Sequence, residues 1–308
     1  MKKINIYLCI VTFIFAACEK TIEISKTEHK PVTIINGLIS PGKPVEVTVT
    51  RTKHYSDTKP MPKVTNATVE LYKDDKLVEE LTHQEDGTYR GNHTPAADAT
   101  YKIKVTDEKH HASATTTIPV PVQLLKISYE HKGEKQGSKQ TEVTMSFKDP
   151  GDQNNYYRIS VEATGDDAEE KNELLVIYTN DVVLKATYGE DDVFSNPPSN
   201  SYQIFRDKLI NGKTYDLKFT LHDLSVLSEY NASGETISKS YKVNLHSITR
   251  EYYLYLKSKE LSQWSSDDPF SEPVPIFSNV SGGGGIITSY SLSSQRLKVD
   301  YPSSYFSW

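Results

Sequence analysis

The chain has 308 residues, a formal net charge of −6, 25% charged residues and two cysteines. That length suits two compact domains better than one, and the acidic balance argues against the concentrated basic surface that nucleic-acid binding needs. One cysteine lies inside an apolar leader, so a disulfide framework is excluded as well.

Two lysines follow Met1, then an apolar run over residues 4–15 broken only by Asn5 and Thr12, then Ala16, Ala17 and Cys18. This is the order of a secretory signal: a positive start, a short apolar stretch and small residues at the cut. A membrane-spanning helix needs roughly 20 apolar residues, and this run ends sooner, at Glu19 and Lys20. Residues 15–18 (FAAC) resemble a bacterial lipobox, with Phe15 in place of the usual leucine. The expectation is a signal peptide over residues 1–17 and a lipid on Cys18. Cleavage would remove Lys2 and Lys3, taking the formal net charge from −6 to −8. With about 0.8 kcal/mol gained per buried methylene, several acyl chains would hold the protein firmly. No later run is long enough to span a bilayer, so the remainder is expected to be soluble.

Residues 18–30 are polar and without helical period, which suits a lipidated tether. From Pro31 the pattern changes to short β-type runs between turn signals. Residues 32–39 read as a strand, and residues 44–51 alternate Val45, Val47 and Val49 with polar neighbours across a turn at Pro41-Gly42. Residues 66–91 read as hairpins turning at residues 73–76 and at Asp86-Gly87. Residues 99–107 and 110–119 make another pair. Seven or so strands at this spacing predict an immunoglobulin-like β-sandwich over residues 31–118, expected to fold by itself.

Pro119-Val120-Pro121 interrupts the pattern and is the predicted domain boundary. Beyond it, strands are predicted near 122–131, 140–148, 155–164, 173–178, 182–188, 213–222 and 236–246. They would form a second β-rich, sandwich-like domain over residues 122–308. Residues 247–264 contain neither Gly nor Pro and place Ile248, Tyr252, Tyr255 and Leu256 at helical spacing, so one amphipathic helix is predicted, with Ser247 as its N-cap. The run Gly282 to Gly285 lacks the Lys-Ser/Thr of a phosphate loop and is read as a close backbone approach between strands. The aromatic-rich block containing Trp264, Phe270 and Phe277 is expected to close the second domain rather than hang free.

Catalytic motifs are missing from the sequence. The mature chain offers no free nucleophilic cysteine, no Gly-x-Ser-x-Gly elbow and no HExxH, and His110-His111 would point to opposite faces of a strand. Acidic loops at residues 149–155 and at Asp166-Asp167 and Asp191-Asp192 carry oxygen ligands, but turn chemistry explains them without calcium. The reading is therefore a non-enzyme, with no catalytic residue, no metal site and no cofactor, and with Cys18 as its one assigned site.

Several segments together resemble a known family. They are residues 18–24 (CEKTIEI), 32–39 (VTIINGLI), 66–71 (NATVEL), 100–105 (TYKIKV), 116–119 (TTIP), 155–158 (NYYR) and 252–254 (YYL). The most specific is the block over 268–273 (DPFSEP) and 277–285 (FSNVSGGGG). They are similar to Bacteroidota outer-membrane lipoproteins of the domain-of-unknown-function 4249 (DUF4249) type, commonly encoded beside TonB-dependent receptors. Ile286 departs from the family pattern, in which an aromatic often follows the glycines. The acidic Glu19 and Glu23 resemble signals that send some such lipoproteins to the cell surface.

The resemblance implies an outer-membrane, lipid-anchored protein, surface-exposed rather than periplasmic. It would act as a binding or accessory subunit of a TonB-dependent transporter, with a small-molecule or oligomeric nutrient as ligand. Twenty tyrosines supply contact area for such a role. The alternative is a structural or adhesive surface lipoprotein, which predicts neither a transporter complex nor a ligand-sized pocket.

Overall fold

The computed structural model describes residues 29–108, 110–135, 138–164, 173–187, 200–223, 225–226, 235–266 and 271–305, without the side chains of 133–139 and 304. A single compact unit begins at Val32. Before the two prolines, the strands are β1 (Thr33–Ile39), β2 (Glu46–Arg51), β3 (Thr68–Lys73), β4 (Lys76–Glu80), β5 (Thr82–His83), β6 (Thr88–Arg90), β7 (Thr100–Asp107) and β8 (His110–Thr117). After them come β9 (Leu124–Lys135), β10 (Ser138–Lys148), β11 (Tyr156–Thr164), β12 (Glu173–Leu174), β13 (Val176–Tyr178), β14 (Ile204–Arg206), β15 (Thr214–His222), β16 (Ile237–Ile248) and β17 (Gly284–Tyr301). Among the described residues, α1 (Val182–Lys185) and α2 (Arg250–Ser266) are helical.

The protein is mostly β, with sandwich-like packing on either side of Pro119. Alternating sequence becomes alternating burial: Val47 and Val49 of β2 lie inside while Glu46 faces water, and Tyr101, Ile103 and Val105 of β7 do the same. One core packs β1 and β2 against the four-stranded sheet β4-β3-β7-β8, with Ile35, Val47, Leu71 and Ile103 at its centre. The other packs β11, β16 and the second half of β17 against the four-stranded sheet β13-β15-β10-β9, around Val143, Phe147, Ile159 and Phe219.

Both cores share one nine-stranded sheet, β12-β11-β16-β17-β1-β2-β6-β5 with β14 on β11. Its continuity depends on β17. The strand runs antiparallel to β16 from Tyr290 to Tyr301 and parallel to β1 from Gly284 to Ser289. Ile287 therefore fills the first core, while Leu297, Val299 and Tyr301 fill the second. The boundary at Pro119 separates two hydrophobic cores but not two sheets.

The glycine run sits where β17 meets its neighbours. A Cβ on Gly285 would lie 2.2 Å from the Ile35 carbonyl oxygen, and one on Gly282 would lie 2.2 Å from that of His111. The predicted close approach is therefore present, and both residues also have positive φ.

Three local expectations are corrected. Residues 182–185, predicted as strand, form the short helix α1, because the Asp181 carboxylate accepts from the Val183 amide at 3.1 Å and starts a turn. The strand predicted over 173–178 is split, with β12 pairing β11 and β13 pairing β15, so the chain changes sheets at Leu175. The long helix is present, but its N-cap is Thr249, whose hydroxyl accepts from the Tyr252 amide at 3.1 Å. Ser247 instead accepts from the Val122 amide. Helix α2 packs on the reverse face of the large sheet through Tyr252, Tyr253 and Leu256 against Ile204 and Ile248. No helix among the described residues is long and apolar enough to cross a membrane.

Candidate functional site

A cleft of about 740 Å³ opens where the two cores meet. Its walls come from three segments: residues 115–123, the loop over 148–156, and residues 247–251 at the start of α2.

The first wall is held from below by a row of hydroxyls. Prolines 119 and 121 have no N–H to offer a ladder, so the linker is fixed through its other backbone groups. On β17, Ser289 donates to the Thr117 carbonyl at 3.1 Å, Ser291 donates to the Pro119 carbonyl at 2.6 Å, and Ser293 accepts from the Leu124 amide at 3.1 Å. Gln295 donates to the Leu124 carbonyl at 2.8 Å. These side chains occupy the stretch of the strand between its two apolar ends, where an isoleucine would leave the linker's buried polar groups unpaired. Val120, 58% exposed, lies on this wall.

The second wall is the acidic loop. Its first carboxylate is turned inward: Asp149 is fully buried, accepting from the Tyr157 hydroxyl at 2.5 Å and the Gly212 amide at 2.9 Å. Burial pushes the Asp149 carboxyl up, with Asp207 adding to the effect, while the bonds from Tyr157 and Gly212 oppose it. Asn155 donates its backbone amide to Asp207 at 2.8 Å and its side-chain amide to the Pro150 carbonyl at 2.9 Å. The oxygen ligands noted in the sequence thus brace the loop, leaving Asn154 on the surface and Tyr156 packed against Tyr253 with ring centres 5.2 Å apart. The third wall places Arg250 and Glu251 just past the Thr249 cap.

Around the cleft Lys148 and Arg250 face Asp98 and Glu251, with the Asp149 carboxyl buried in the second wall. Polar amides, prolines and one tyrosine make a surface suited to an uncharged or zwitterionic ligand bound by hydrogen bonds and flat contacts. The volume falls within the roughly 300–1,000 Å³ typical of small-molecule sites. Sequence reading found the proline break and the acidic loop but not their convergence. The available signal was the period-two run of small polar residues at Ser289, Ser291 and Ser293.

A second polar constellation lies on the reverse face of the large sheet. Ser160 and His246 are 2.9 Å apart, and Asn244 donates to Glu162 at 2.7 Å and accepts from Ser294 at 2.7 Å. Burial, reinforced by Arg158 and Lys242, pushes His246 down to about 4, so its ring is neutral at physiological pH. Neither Ser160 nor His246 lines the cleft. The network cross-links β11, β16 and β17 and fixes their register.

This burial makes stability depend on pH. The native histidine binds its proton less readily than the unfolded one, so its contribution is present above pH 6.5 and is lost as pH falls from 6.5 to about 4. Urea midpoints should show roughly 2–3 kcal/mol of acid destabilisation from this group between pH 7 and pH 4.5, absent in His246→Gln. Identical pH slopes in the two proteins would contradict a buried neutral His246.

Cys18, Asp166, Asp167, Asp191 and Asp192 lie outside the described residues. The family model described as "Domain of unknown function (DUF4249)" matches residues 19–296. No curated protein matches the chain. Among solved structures, a protein described as membrane anchored from Corynebacterium diphtheriae is 10% identical with a TM-score of 0.22, over 70% of this chain and 54% of that one. The BSP domain of a biofilm-associated protein is 8% identical with a TM-score of 0.21, over 88% of this chain and 61% of that one. The chain thus spans between about half and three-fifths of the length of these two structures.

Proposed function

We propose that this chain, which belongs to the DUF4249 family, is an outer-membrane lipoprotein that serves a TonB-dependent transporter as a binding or accessory subunit in nutrient capture or uptake. Cys18 carries the lipid, and the body faces the cell surface rather than the periplasm. The observation that carries the binding role is the cleft of about 740 Å³, whose walls are braced from within and whose rim carries charges of both signs. A spacer or adhesin needs no such concavity, which is why the structural reading ranks second. The transporter partnership rests on the genomic company implied by the family resemblance.

Filling the cleft tests this role. Val120→Trp together with Asn154→Trp places two large side chains at exposed positions on opposing walls, where folding should tolerate them. In competitive growth on a panel of peptide, glycan and cofactor sources, the double variant should fall behind wild type on at least one source, as a deletion strain does. A deletion strain with a growth defect that the double variant does not share would sink the cleft as the binding site. Cys18→Ser should leave the membrane fraction or retain an uncut signal, and continued lipid labelling of that variant would refute the anchor.

A further inference from the structure

The end of the body where the tether attaches carries an ordered, amphipathic loop. Val32, the first residue of the body, accepts from the Thr52 amide at 2.9 Å and donates to the Thr52 hydroxyl at 2.9 Å. From there residues 52–62 project as a loop, closed by the Arg51 amide donating to the Pro62 carbonyl at 2.9 Å. Its interior is organised: Lys53 donates to the carbonyls of Asp57 and Lys59, and the Asp57 carboxylate accepts from the Lys59 amide at 2.9 Å. At the tip Tyr55 is 72% exposed, the highest value among the exposed large apolar and aromatic side chains of the described residues, although its ring rests against His54. Met61 and Val32 are also exposed, at 40% and 41%, and both sit beside the backbone bonds that close the loop.

Apolar side chains scattered singly over a surface need no explanation, but Tyr55, Met61 and Val32 are exposed together at the end of the body that the tether enters. The chemistry fits the headgroup zone of a bilayer. Tyrosine concentrates there because its ring is apolar and its hydroxyl is wet, and lysines such as Lys59 and Lys63 can reach lipid phosphates. Asp57, and Glu85, Asp86 and Glu108 on neighbouring turns, offset those lysines, so the surface is amphipathic rather than strongly basic.

The position relative to the cleft gives this contact a consequence. Arg51 lies opposite Thr33 and is ion-paired with Asp107, which puts the β7–β8 turn at the tether end. Strand β8 then runs from His110 at that end to Thr117 at the cleft, a span of about 24 Å at 3.4 Å per residue. The 13 residues from Glu19 to Pro31 reach at most about 45 Å when extended, so a tether alone would let either end approach the membrane. Resting on the reading that Cys18 carries the lipid, we propose that residues 52–62 seat on the bilayer, with Tyr55 and Met61 at headgroup depth, and hold the cleft away from it.

The mature chain has no cysteine besides Cys18, so an introduced thiol is a unique labelling site once that sulfur is acylated. Full-length lipoprotein carrying Tyr55→Cys, Met61→Cys or Leu77→Cys is nitroxide-labelled and reconstituted in vesicles of phosphatidylethanolamine and phosphatidylglycerol. Leu77, 57% exposed, follows the hairpin at the opposite end of the same sandwich and reports on bulk water. Power saturation should give an oxygen-to-nickel-chelate accessibility ratio several-fold higher at positions 55 and 61 than at 77. Equal ratios in a protein that floats with the vesicles would overturn the loop contact alone. A protein that does not float would overturn the anchor and this contact together.

Discussion

Deleting residues 265–308 is expected to abolish the cooperative unfolding transition of the whole body, not merely of its second half. The deletion removes β17, the strand common to both cores. It takes away Ile286, Ile287, Leu297 and Val299, all buried, for a loss of roughly 6–12 kcal/mol at 1.5–3 kcal/mol per fully buried aliphatic side chain. That is comparable to the entire 5–15 kcal/mol stability of a typical protein. It also exposes the ladder edges of β1 and β16 and strips the hydroxyls that hold the linker at Thr117, Pro119 and Leu124. The complementary fragment, residues 31–118, should likewise give a poorly dispersed amide spectrum, because β1 loses its parallel partner and Ile287 no longer fills the first core. Fusing residues 284–292 back to it should restore dispersion. If the truncated chain melts at the wild-type temperature and loses only an interaction, the block is an arm and the shared-strand architecture is wrong.

The second large effect is expected at a single glycine. Gly285 has φ +97°, and a Cβ added there would lie only 2.2 Å from the Ile35 carbonyl oxygen and 3.0 Å from the Asn36 side-chain oxygen. Gly285→Ala must therefore both strain the backbone and push β17 away from β1. Left-handed strain costs about 1–2 kcal/mol, and forced overpacking adds about 1–3 kcal/mol. Gly42 separates the two effects, since its φ is +76° but nothing lies within 4 Å of where its Cβ would sit. Denaturant unfolding should show a loss of roughly 2–5 kcal/mol for Gly285→Ala and about 1–2 kcal/mol for Gly42→Ala. Equal losses would mean that the close approach of β17 to β1 carries no energetic weight.

These two effects mark where the fold was legible in the sequence and where it was not. Local signals were readable: Val45, Val47 and Val49 alternate and are buried, Asp74-Asp75 and Asp86-Gly87 take the positive φ their turns require, and residues 250–266 are helical. Strand β17 was not, for two physical reasons. Its central residues are serines, which lack strand propensity and resemble loop, yet they face inward because a proline linker needs hydrogen-bond partners there. Its pairing with β1 is parallel and joins positions about 250 residues apart, so no turn announces it. Tyrosine richness was ambiguous for a related reason. Tyr157 and Tyr241 are buried with their hydroxyls bonded to Asp149 and Asp223, whereas Tyr55 stands in solvent, and composition alone cannot sort them. The cleft was hidden because its walls come from segments far apart in sequence. Thr249 displaced Ser247 as the cap because β16 continues to Ile248, which leaves Ser247 within the strand.

The proposed role of this family member, a membrane-anchored binding partner of a transporter, is tested most directly by purification from native outer membranes with the lipid anchor intact. Mild detergent extraction and affinity capture of the tagged wild-type chain should bring down a TonB-dependent receptor in near-stoichiometric amount, and the yield should fall with Cys18→Ser. Capture of the chain alone from membranes that contain the receptor would contradict the transporter role and leave the adhesive reading as the better account.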